Sequence, residues 1–174
     1  IQGGREYFIT MVPLRLLSKL FGDDEEYVPP EYRAQRRLNT ARIPVIRDYI
    51  LENRSSYVFS ALAACVDGIY RFCPLDPSSG LGTLEVSMDA RFMIVDGQHR
   101  NAAILEALRE DETLNSETIS IVLYADQGLE HSQQMFTDLN KHAVKTSNSI
   151  AELYDSRDAL AVITRRVCLC AIKK

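Results

Sequence analysis

Four consecutive apolar residues, Phe92-Met93-Ile94-Val95, predict a central strand buried on both faces. Just downstream, Ala103, Ile104, Ala107 and Leu108 fall at i, i+1, i+4 and i+5, the stripe of a helix packed on a sheet, here over residues 98–110. Toward the N-terminus the pattern predicts a strand at 7–11, a short helix at 14–20, a charged loop at 22–26 and a helix opening behind Pro29-Pro30 near Glu31. Thr40 is placed to cap a further helix with apolar positions Ile43, Ile46, Tyr49 and Ile50. Residues 57–66 and 69–72 read as a hairpin turning at Asp67-Gly68, and the Ser- and Gly-rich stretch 76–82 reads as a loop. Strands are expected at 84–88 and 119–124, and helices at 129–139 and 156–174. The order predicts a single compact α/β (α+β) domain over residues 1–174.

Between the strand and the helix stands Asp96-Gly97-Gln98-His99-Arg100. A helix opening at that corner presents backbone N–H groups and a partial positive charge, which suits an anion such as phosphate. Asp96 can cap the helix, hold a metal or accept from a ribose hydroxyl. Gly97 can take a positive φ and admit a ligand close to the backbone. Gln98 offers a donor and an acceptor, His99 can move a proton near neutral pH, and Arg100 carries a planar fork that fits phosphate. Helix capping alone does not require four functional side chains around one glycine.

At 174 residues and 46% hydrophobic, the chain can bury a sizeable core. Its net charge of −4 argues against a strongly basic nucleic-acid binder unless positive charge is concentrated locally. Such a concentration exists: Arg33, Arg36, Arg37, Arg42 and Arg47 follow Glu31 with no second acid until Asp48. Arg33, Arg36 and Arg37 share one helical face, fit either to neutralise DNA phosphates or to remain solvated. A second stretch, Gln134 to Asn148, offers Asn140 as a ligand contact or a helix C-cap, with Lys141, His142 and Lys145 beside it.

No apolar run approaches a membrane span. The four cysteines fit a reducing cytoplasm. Cys65 and Cys73 fall on opposite faces of the expected hairpin. Cys168 and Cys170 form a bare CxC that suits two small residues in a helix better than a metal site, and the three histidines lack metal-ligand spacing. No Walker A motif is present, which excludes a P-loop ATPase.

The five-residue corner matches the motif of the DGQHR-domain proteins, and the chain resembles the DndB family, encoded beside the DNA phosphorothioation (Dnd) genes. Gly4-Arg5-Glu6-Tyr7, Ala34-Gln35-Arg36, Arg42-Ile43-Pro44, Phe59-Ser60-Ala61 and Met88-Asp89-Ala90-Arg91-Phe92 look like DndB segments in the same order. So do Gln134-Met135-Phe136-Thr137-Asp138-Leu139-Asn140 and Leu153-Tyr154-Asp155-Ser156-Arg157-Asp158. The resemblance covers about residues 1–160. DndB proteins are longer, so it implies a fragment or a truncated member.

The resemblance implies a ParB/sulfiredoxin-like fold, a small mixed sheet with flanking helices and the motif at a strand-to-helix corner, and a transcriptional regulator that binds double-stranded promoter DNA of the dnd operon. It also implies ATP or a related nucleotide, with Mg2+ as an accompanying ion, at Asp96, Gly97, Gln98, His99, Arg100, Gln35, Arg36 and Asn140. DNA contacts are expected from Arg33, Arg36, Arg37, Arg42, Lys141 and Lys145, and a palindromic operator would suit a homodimer. The alternative is a nucleotide hydrolase or DNA-nicking enzyme using Asp96, His99 and Arg100, with no P-loop. Sulfur chemistry at the corner is disfavoured, because Gln98 stands where sulfiredoxin carries its nucleophilic cysteine.

Overall fold

A computed structural model describes residues 1–22, 39–125, 135, 159–160 and 162–164. The chain divides into two compact units, Ile1–Asn140 and Lys141–Lys174. The sequence reads as one domain because no Pro-, Gly- or Ser-rich linker marks residue 140. In the second unit, residues 159–160 and 162–164 are helical, in line with the terminal helix expected there.

The first unit begins with β1 (Tyr7–Pro13), a 3-10 turn (Leu14–Leu16) and α1 (Leu17–Phe21). Helix α2 (Arg42–Glu52) comes next, then β2 (Leu62–Asp67), β3 (Tyr70–Pro74), β4 (Gly82–Val86) and β5 (Arg91–Asp96). Helix α3 (Gln98–Glu110), a 3-10 turn (Glu112–Ser116) and β6 (Thr118–Ala125) complete it. Four strands form a mixed sheet in the order β1-β6-β2-β5; β6 lies antiparallel to β1 and parallel to β2, and β2 lies antiparallel to β5.

The strands alternate as their period of two requires. Ile119, Ile121 and Leu123 of β6 point into one core with Leu62 and Ala64 of β2 and Ile94 of β5. Ile50 of α2, Ile104 and Ala107 of α3, and Leu14 and Leu17 close that core from the helical side. On the opposite face Cys65, Val95 and Met135 form a smaller buried cluster.

Three expectations are corrected here. Strands β2 and β3 do not form a hairpin, although Gly68 turns the chain with φ +139°. Both edges of β2 are occupied, by β6 and β5, so β3 pairs with β4 in a separate two-stranded sheet. That sheet packs back through Phe72 and Tyr70, whose rings lie 5.6 and 5.7 Å from the ring of Phe8. Strand β5 ends the described sheet instead of crossing its centre, yet it is buried on both faces near Ile94 and Val95 because Met135 covers the far side. Finally, Thr40 does not cap α2. Asn39 accepts the Ala41 N–H through its side chain at 3.2 Å. Pro44 is tolerated because it sits in the first turn, where its missing N–H has no intrahelical partner.

Candidate functional site at the β5–α3 corner

Gly97 takes the chain from the last residue of β5 straight into α3, at φ +96° and ψ 17°. A Cβ there would lie 2.4 Å from Cδ2 of Leu62, a fully buried core residue. Both the left-handed backbone and the close approach therefore require glycine. No side chain caps α3; its first intrahelical bond runs from the Asn101 N–H to Gly97 O at 2.9 Å.

The polar side chains of the corner bond within the protein. Of the roles open to Asp96, capping is not taken up: its carboxylate accepts from Arg100 Nη2 at 2.8 Å. Arg100, in the first turn of α3, has a side chain only 16% exposed. Its Nη1 donates to Ser60 O at 2.6 Å and Ala61 O at 3.0 Å, and also to the Ser60 hydroxyl. The guanidinium thus clamps the approach to β2. Gln98 Nε2 donates to Ile94 O at 3.3 Å.

His99 Nε2 accepts the backbone N–H of Asn39 at 2.9 Å, across 60 residues of sequence. Burial, and then the positive charge of Arg42, hold its pKa below the ordinary histidine value. Neutral imidazole with its proton on Nδ1 satisfies that bond. Arg42 is exposed at the start of α2. Arg47, the last of the arginine run, faces acids instead: Asp48 at 2.7 Å, Glu110 at 3.3 Å and Glu106 at 3.7 Å. Gln35, Arg33, Arg36, Arg37, Asn140, Lys141 and Lys145 lie outside the described residues.

Two site residues stand apart from the motif. Ser60 anchors Arg100, and its only sequence signal was the Phe59-Ser60-Ala61 segment. Asn101 is a polar residue among the buried positions of α3, with Ala103, Ile104 and Ala107; it is 8% exposed, and its Oδ1 has no hydrogen-bond partner among the described residues.

A second polar cluster lies where the chain before β2 runs beside β6. Arg54 pairs with Glu117 at 2.7 Å and Asp111 at 2.8 Å, and donates to the Thr113 hydroxyl at 2.9 Å. The Tyr57 hydroxyl donates to Glu117; burial first, and then that carboxylate, push its pKa well up. A cavity of about 480 Å³ opens beside these groups. Arg54 bridges the two carboxylates, which fastens the loop after α2 to the start of β6.

The corner therefore offers an uncapped helix N-terminus to an anion, framed by side chains that the fold holds in place. This fold and corner define an α+β domain with a polar motif at a strand-to-helix junction. The chain belongs to the DndB family: the family model, described as DNA-sulfur modification-associated, matches residues 1–171. The match extends beyond residue 160, where the segment-by-segment resemblance ends, and it ties the chain to DNA sulfur modification. No curated protein and no solved structure matches the chain. Among the described residues, no helix is long and apolar enough to cross a membrane.

Proposed function

We propose that the chain is a DNA-binding transcriptional regulator of the phosphorothioation operon, acting in the cytoplasm, and that ATP or a related nucleotide at the β5–α3 corner sets its DNA affinity. The observation that carries the nucleotide reading is the α3 N-terminus itself. It is uncapped, it is turned by a glycine that tolerates no substituent, and it points partial positive charge outward. A ParB-like role for the corner is consistent with this geometry.

The bonds around it favour holding a ligand over hydrolysing one. The His99 lone pair is engaged by Asn39, and the Arg100 fork is engaged by Ser60, Ala61 and Asp96. A general base needs a free lone pair. The His99–Asn39 bond also supports a route between sites, because Asn39 stands two residues beyond Arg37. A nucleotide that shifts α3 would move the end of the arginine-bearing stretch, and DNA would alter nucleotide affinity by the same factor.

The test is a titration of the protein with labelled promoter DNA from the dnd operon, with and without ATP and Mg2+, at two salt concentrations. Promoter binding that changes with ATP supports the regulator. Equal affinity for promoter and random DNA, together with nucleotide turnover, would replace it with an enzyme.

A further inference from the structure

Asn101 sits one turn into α3, almost wholly buried, with an amide oxygen that accepts from no described group. A buried acceptor without a donor is destabilising, and an apolar residue of the same shape would avoid the penalty. Helical side chains lean toward the helix N-terminus, so this amide lies over the opening turn of α3, on the same face as Gln98 three residues earlier. That turn carries backbone N–H groups with no intrahelical acceptor and no side-chain cap. The start of α3 thus combines backbone donors that lack an intrahelical acceptor with a side-chain acceptor that lacks a donor. The complementary ligand joins an anionic group to a nearby O–H or N–H.

We propose that Asn101 is a specificity-determining residue of the corner, its Oδ1 accepting a hydrogen bond from a donor group of a nucleotide whose phosphate rests on the α3 N-terminus. This rests on the nucleotide reading of that site. A nucleotide has two sources of such a donor, the ribose hydroxyls and the exocyclic amine of the base.

Calorimetric titration of the intact protein separates them. The probes are ATP, 2′,3′-dideoxy-ATP, which lacks the sugar hydroxyls, and purine riboside triphosphate, which lacks the exocyclic amine. One analogue should bind the wild type about tenfold or more weakly than ATP, as expected for one lost hydrogen bond in a buried site. Asn101→Leu should show the same loss toward ATP, should no longer discriminate against that analogue, and should melt at or above the wild-type temperature. Equal wild-type affinity for all three nucleotides would overturn the role of Asn101 and leave the nucleotide reading standing, as would undiminished ATP binding by Asn101→Leu. Absence of binding by the wild type to any of the three would overturn the nucleotide reading itself. Should Asn101→Leu not fold, the analogue series on the wild type decides alone.

Discussion

Arg100 reaches from the first turn of α3 to the backbone carbonyl of Ser60 at 2.6 Å, so the corner motif and the entry to β2 are one mechanical unit. Its other arm holds Asp96 at 2.8 Å. Arg100→Ala would leave the carbonyls of Ser60 and Ala61 and the Asp96 carboxylate without their donor. A loss of about 2 kcal/mol in denaturant unfolding is expected, reduced from the value for a fully buried pair because Asp96 is half exposed. Unchanged stability would return Arg100 to the ligand as a free contact.

Gly97→Ala tests the corner from the backbone side. The new methyl would meet Leu62 at 2.4 Å in a left-handed conformation, and Leu62 is fully buried in the core. A cost of about 2–4 kcal/mol is expected from strain and overpacking together. A variant as stable as wild type in a thermal melt would mean that the turn relaxes without it.

His99 gives the protein a stability that depends on pH. Its folded pKa lies below the unfolded value, so between the two the unfolded chain binds more protons. Stability is therefore fully present above the unfolded value, near 6.5, and is lost as pH falls through the window beneath it. Unfolding curves at about pH 7.5 and pH 5.5 should show the decline, and His99→Asn should flatten it. An identical pH dependence in the variant would show that other groups carry the effect.

Arg36→Ala combined with Arg37→Ala tests the DNA face. If these side chains neutralise phosphates, promoter affinity falls and the salt-dependence slope shrinks by about one to two units. A slope unchanged from wild type would move the DNA contact elsewhere on the protein.

Legibility in the sequence followed how local each cause is. Helix α3 begins at Gln98 and ends at Glu110, as its apolar stripe predicts, and Gly97 marks its start through a conformation glycine alone takes easily. The pairing of β2 is not legible at Asp67-Gly68, because a turn signal says only that the chain reverses. Whether the two arms pair depends on whether the edges of β2 are free, and strands far away in sequence had filled both. The same limit applies to the site. The residue types of the corner and its place between strand and helix were readable. The inward turn of Arg100, the Asn39–His99 bond and the orphaned oxygen of Asn101 depend on neighbours 40 to 60 residues away or on a burial that no spacing states.

The sheet order has a consequence for synthesis. Strand β1 pairs only with β6 in the described sheet, so Tyr7 must wait for Tyr124 to be made. At ordinary elongation rates that delay is on the order of ten seconds. Through it the uncharged segment Tyr7–Pro13, with Ile9 and Met11 that stay exposed even in the finished fold, has no strand partner of its own. Until β6 emerges, the nascent chain thus carries a sticky, unpaired strand of the kind that chaperones cover.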